Sequence, residues 1–178
     1  AEANVQITFT GPQSTYLLQK GQTFSATINS NTYSFSIGDN ILLSSTNNFF
    51  TANISIFEGT YTYDTYVLNS SDPTQRLVVT NDMVDISSLT VVVYENNDIV
   101  GVPYLQATTL LGLNETNKVF FVQLAETNQY EVSFGDGVIG YRPADGSVIS
   151  LNYRITNGIK GNGARVFTIN FNPGPTGD

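Results

Sequence analysis

The sequence predicts a mainly β protein, and three observations carry that prediction. Apolar and polar residues alternate with period two in six stretches, at 5–9, 33–37, 52–57, 61–66, 130–134 and 148–153, the pattern of strands with one buried face. Glycine, asparagine and aspartate fall between these stretches, where turns need residues that tolerate positive φ. Only residues 103–113 read as helical, one or two turns with Pro103 near the start and Gly112 near the end. The expected architecture is an antiparallel sandwich or meander with at most one short helix.

Taken in order, the alternating strands at 5–9, 33–37, 52–57 and 61–66 come first, with turns at Lys20 and Gly21, Ser30 and Asn31, and residues 38–40. Three more continuous apolar runs follow, at 77–79, 89–94 and 119–124, and read as strands covered on both faces. Turn chemistry recurs at 96–98, at Asn128 and Gln129, and at 144–146, around the strands at 130–134 and 148–153. Polar or chain-breaking stretches at 69–73 and 157–163 suggest domain boundaries. On that reading, residues 1–71 with 164–178 form an outer β subdomain and 72–163 an inserted one, with 165–171 returning to pair with the first. A single sandwich over 1–178 is the alternative, and the Pro- and Gly-rich end, 172–178, reads as a linker.

Composition narrows function. The 178 residues suffice for one domain or two small ones, and 40% apolar with 12% charged residues describes a folded chain. Its polar surface is built from Asn, Thr, Ser and Gln, as expected of a protein covered by neighbours in an assembly or of a surface-exposed β protein. The net charge of −8 argues against nucleic-acid binding. Four of the seven basic residues lie between 142 and 165, which reads as solvated charge ahead of a partner-facing patch. No apolar run reaches the roughly 20 residues that span a bilayer, so no membrane insertion is expected. The chain begins at Ala1 and has one methionine, Met83, which reads as a fragment or processed product.

The chain has neither cysteine nor histidine, which excludes disulfides, Cys or His metal sites and His-based nucleophilic machinery. Carboxylates remain, among them Glu58, Asp64, Glu131, Asp136 and Asp145. A glycosidase needs two of them about 5–9.5 Å apart in a cleft that usually carries tryptophan, which is absent. Neither catalytic, cofactor nor metal residues are expected. Asp136, between two glycines, suits a turn or a calcium loop, but no second carboxylate follows it until Asp145. Gly135, Gly137 and Gly140 formally match a dinucleotide fingerprint; Pro143 and the alternating strand beyond interrupt the helix that motif requires. Tyr61, Tyr63 and Tyr66 form a candidate interaction surface, either a sugar-stacking or docking face or ordinary cross-strand packing.

The most informative region is 130–164. Phe134, Gly135, Asp136 and Gly137 read as a tight reversal, followed by Gly140, a Pro-x-x-Gly turn ending at Gly146, an apolar strand ending near Tyr153, and an exit containing Asn157, Gly158, Gly161 and Asn162. This pattern resembles the baseplate wedge proteins of contractile-tailed bacteriophages, the baseplate J-like family. Residues 16–24 and 33–37, with the segment around Glu58 and Gly59, are similar to that family's opening pattern of paired strands. Tyr141 and Arg142 depart from it, since the family often has a more basic pair there. The resemblance implies a virion structural protein with no chemistry of its own, assembled in the bacterial host cytoplasm and located in the tail baseplate. Its implied partners are other wedge subunits and further copies of itself, and the motif residues act as fold formers. The alternative is a carbohydrate-binding or adhesin-like β-sandwich.

Overall fold

The computed structural model describes residues 1–72 and 75–169. The fold is mainly β and largely antiparallel, with fourteen strands among the described residues: β1 (Glu2–Thr10), β2 (Thr15–Leu18), β3 (Thr23–Ile28), β4 (Asn31–Ile37), β5 (Ile41–Ser44), β6 (Phe49–Glu58), β7 (Thr60–Val67), β8 (Leu77–Val78), β9 (Val84–Tyr94), β10 (Val102–Gln106), β11 (Val119–Leu124), β12 (Tyr130–Phe134), β13 (Val148–Ile155) and β14 (Thr168–Ile169). The only helical turn among the described residues is the 3-10 turn Gly158–Gly161, and no helix among them is long and apolar enough to cross a membrane.

The chain divides into two compact units, Ala1–Tyr61 with Ile155–Asp178, and Thr62–Arg154. The breaks fall inside β7 and β13, earlier than the polar stretches at 69–73 and 157–163 where the sequence suggested them. The reason is pairing: β7 and β13 are neighbours in one sheet, so most of both strands belongs to the second unit. Pro73, the last two residues of the strand expected at 165–171, and the linker at 172–178 lie outside the described residues.

In the first unit a five-stranded sheet runs in the order β1-β6-β4-β3-β14, beside a β2-β5 pair. Its core gathers Leu18, Phe24, Phe35, Phe50, Ile54 and Ile56, all buried. The β3–β4 hairpin pairs Ile28 with Asn31 and turns through Asn29 (φ 49) and Ser30 (φ 67). That is the two-residue turn whose twist matches the strands it joins. Among the described residues, six of the seven non-glycine positions with positive φ are asparagine, so the Asn-rich composition is partly turn chemistry.

The second unit is built on a seven-stranded sheet in the order β7-β13-β9-β10-β11-β12-β8. The segment expected to be helical at 103–113 begins instead as β10. Val102, Pro103 and Tyr104 pair antiparallel with Val93, Val92 and Val91, and Leu105 and Gln106 pair in parallel with Val119 and Phe120. Partners on both sides override a weak local helix signal. Nor is β9 covered on both faces: Leu89, Val91 and Val93 are buried while Thr90 is exposed, so its valine run masks ordinary alternation.

Candidate functional site

The glycine-rich segment after β12 forms a closed loop, not a hairpin, because β12 and β13 are separated in the sheet by β9, β10 and β11. Its neck is the contact of two glycine backbones. A Cβ on Gly135 would lie 2.2 Å from the carbonyl carbon of Gly140, a clash with backbone that only a parting of the neck can relieve. Gly140 itself has φ 83, and a Cβ there would press on Val119 Cγ2 at 3.0 Å. Inside the loop, Asp136 Oδ1 accepts hydrogen bonds from the Val138 and Ile139 N–H groups, each at 2.8 Å. Those donors, Ile139 first, hold the Asp136 carboxyl below the usual aspartate value. Gly137 N–H donates to the Gly140 carbonyl at 3.1 Å.

From outside, Gly140 N–H donates to the Asn114 carbonyl at 3.1 Å and Tyr141 N–H to the Asn117 carbonyl at 2.8 Å. The loop is thus tied at its base, and its tip carries Val138 and Ile139, 71% and 38% exposed. Phe134 leads in from β12 with its ring edge-on to Tyr104, centroids 5.4 Å apart.

The following turn is stitched down separately. Gly146 N–H donates to the Leu68 carbonyl and Leu68 N–H to the Ser147 carbonyl, both at 2.8 Å. Asp145 Oδ1 accepts the Ser70 N–H at 2.6 Å. Glu95 holds the approach, accepting from Ala144 N–H at 3.0 Å and from the Tyr141 hydroxyl at 3.3 Å. Its charge, followed by burial, raises the Tyr141 hydroxyl above the usual tyrosine value. Tyr153, buried on β13, donates its hydroxyl to Asp64 Oδ2 at 2.8 Å. Asp64 also accepts from Thr80 N–H at 2.9 Å and Thr80 Oγ1 at 2.7 Å. Next to Tyr153, Arg154 donates from Nη2 to Asp85 Oδ2. Burial pushes the Asp85 carboxyl up, but hydrogen bonds from Ser87 and Arg154 and the Arg154 charge together hold it below its ordinary value.

In the first unit, the exit motif meets the Glu58 and Gly59 segment. Glu58 is 1% exposed, and its carboxylate accepts from the Thr156 hydroxyl, from Asn157 N–H at 2.9 Å and from Asn157 Nδ2 at 2.8 Å. Gly158, which opens the 3-10 turn, donates its N–H to Thr156 Oγ1 at 3.0 Å. Gly161 closes that turn under the Glu58 side chain, where a Cβ would lie 2.5 Å from Glu58 Cγ. Two sequence pieces about a hundred residues apart are thus one structural feature, a buried carboxylate that clasps the returning chain.

The carboxylates singled out in the sequence do not converge. Glu58, Asp64, Asp136 and Asp145 each serve a different hydrogen-bond set, and Glu131 lies near Gln123 and Arg76. Among the described residues no group of three or more His, Cys, Asp or Glu is placed to hold a metal. The tyrosines part as well. Tyr61 packs under Lys20, whose Nζ is 4.9 Å from the ring centroid, and Tyr66 donates its hydroxyl to the Val78 carbonyl at 2.6 Å. Tyr63 is 67% exposed on the opposite face of β7 from Tyr66. Sequence reasoning missed Asp85 with Arg154, and Glu95. The only signal for the first was a single arginine near the end of β13, beyond its alternating run, and there was none for Glu95. No protein-family profile and no curated protein matches the chain.

Proposed function

We propose that this chain is a structural module of a contractile-tail baseplate wedge, working through contact surfaces held in fixed positions. The observation that carries the reading is the loop above β12. Its neck is shut by Gly135 against Gly140, its interior hydrogen bonds are satisfied by Asp136, and its tip offers two aliphatic side chains to solvent. A loop fixed before it meets a partner loses little conformational entropy on docking. Apolar side chains held outward in this way suit a protein interface, not a polar ligand. The proposed partners are other wedge subunits and further copies of this chain, in a baseplate assembled in the bacterial cytoplasm. Rearrangement on host contact then follows from unequal interface energies in two baseplate states. The carbohydrate-binding alternative draws support from Tyr63 alone, since Tyr61 and Tyr66 are engaged elsewhere.

The test is a Val138→Asp, Ile139→Asp double variant of this chain, co-expressed with the other wedge subunits. Circular dichroism unchanged from wild type together with few complete baseplates in electron micrographs is the expected result. Complete baseplates in wild-type numbers would remove the loop's docking role and the observation on which the reading rests.

A further inference from the structure

The sequence contains two Asn-Gly dipeptides, at 157–158 and 162–163. Such a pair can modify itself, because glycine offers its backbone nitrogen to the preceding side-chain amide with no Cβ in the way. At 158 the backbone demands glycine, since φ is 67, and a Cβ there would meet nothing within 4 Å. Asn157 and Gly158 are both exposed, so water reaches them. The modification converts Asn157 in two steps. The Gly158 nitrogen gives up its proton and bonds to Asn157 Cγ, the Cγ–Nδ2 bond breaks, and ammonia leaves. Water then opens the resulting succinimide ring to aspartate or isoaspartate. Water in and ammonia out balance the change, and neither oxidant nor reductant is needed.

The Glu58 clasp engages the atoms that this reaction must move. Asn157 Nδ2, the leaving group, donates to Glu58 Oε1 at 2.8 Å, and Asn157 N–H donates to Oε2 at 2.9 Å. Gly158 N–H, whose proton must leave first, donates to Thr156 Oγ1 at 3.0 Å, and the Thr156 hydroxyl donates in turn to Glu58 Oε2. Asn157 itself sits at φ −86 and ψ 10 ahead of the 3-10 turn. Closing the ring requires the Gly158 nitrogen to eclipse Asn157 Cβ about the Cα–C bond, and at that ψ the two stand well apart. The site is therefore reactive by sequence and reachable by water, yet held in an unreactive shape by a single buried carboxylate.

We propose that Asn157 is a latent modification site, which Glu58 keeps unreacted for as long as the clasp is closed. Local opening of the clasp frees Asn157 and the Gly158 nitrogen to rotate into the ring-closing geometry, and the conversion that follows is one-way. The aspartate product carries a carboxylate where Nδ2 stood, facing Glu58 Oε1, and isoaspartate also reroutes the backbone through the side chain. Two carboxylates in contact, one of them buried, cannot both stay charged without a large cost, so the returning chain does not clasp again. Opening that lasts long enough is thereby recorded in covalent structure. The inference does not depend on the baseplate reading.

The test is a time course of the full chain in mildly alkaline buffer, natively and in urea, with peptide mass spectrometry reading conversion at Asn157. Natively the conversion should be slower than in urea by at least about tenfold, the worth of roughly one hydrogen bond to a charged group. Glu58→Gln should return most of that factor while circular dichroism stays unchanged. Should that variant not fold, Thr156→Val, which removes only the hydroxyl link, should speed native conversion in the same direction. Asn157→Asp reproduces the charge of the product, and should raise amide exchange at 157 and 158 by about tenfold over Asn157→Ser, which loses Nδ2 without adding charge. Four results would each overturn the proposal. The first is no conversion at Asn157 in urea, and the second is native conversion as fast as in urea. The third is a native rate left unchanged by Glu58→Gln, or by Thr156→Val where the first variant does not fold. The fourth is exchange in Asn157→Asp no faster than in Asn157→Ser.

Discussion

The two units set their long-range pairings differently. In the first, a two-residue turn sets the β3–β4 register, the aromatic and aliphatic core is continuous, and a single buried carboxylate, Glu58, ties in the returning chain. In the second, three carboxylates, on β7, on β9 and just past the end of β9, reach to the segment 141–154: Asp64 to Tyr153, Asp85 to Arg154, and Glu95 to Tyr141 and Ala144. The difference follows from topology. β13 lies between β7 and β9 with no short turn to either, and a slip of one residue would turn every buried side chain outward. A carboxylate that finds its donors in one register alone forbids the slip. In this acidic chain, many carboxylates are structural parts.

The sharpest way to break the comparison is Asp85→Asn, which leaves the Arg154 guanidinium buried without its counter-charge. It is expected to cost the second unit about 3–5 kcal/mol, read by urea denaturation, with hydrogen exchange locating the loss in β9 and β13. The same pair predicts the pH dependence. The fold holds the Asp85 carboxyl below its ordinary 3.8, so its contribution is present above that value and lost as pH falls through the lower, folded value. Asp85→Asn should remove that acid-side loss; an unchanged acid limb would show that the pair does not govern it.

Glu58→Gln keeps the shape of the first unit's clasp but cannot accept from all three donors as a carboxylate does. The expected cost is about 2–3 kcal/mol, with exchange rising first at Asn157 and Gly158. If protection is instead lost in β9 and β13, the division of labour between the units is wrong. Tyr153→Phe removes one hydroxyl donor to Asp64 while keeping the ring in the core, and about 1.5–2 kcal/mol is expected. Gly135→Ala should have the smallest global effect and the most local one. Opening the loop's neck should speed exchange of the Val138 and Ile139 amides with the melting temperature nearly unchanged, and a large fall in melting temperature would make the neck part of the core.

Much of the fold was legible in the residues. The alternating runs at 5–9, 33–37, 52–57, 61–66, 130–134 and 148–153 all lie in strands, because a one-sided strand writes period two into its own sequence. Asn96, Asn97 and Asn128 stand at positive φ where the turn signals pointed. β2, β3 and β5 were less visible, being short or interrupted by polar residues, and β10 was misread because its strand state comes from Val91–Val93 and Val119, not from its own pattern. The candidate site divides the same way. That the glycines at 135, 137, 140 and 146 shape a turn region follows from their chemistry alone, but that Gly135 must touch Gly140 is a fact of packing.

By itself, then, the sequence determined the class of structure, its turn positions and the absence of cysteine and histidine chemistry, because each of these is local or compositional. Only the tertiary structure decided which carboxylate clasps which distant donor and which loop closes on itself. The carboxylate pairings join residues about fifty to a hundred positions apart, the loop's closure depends on how tightly two backbones pack, and no local pattern encodes the partner of a buried charge.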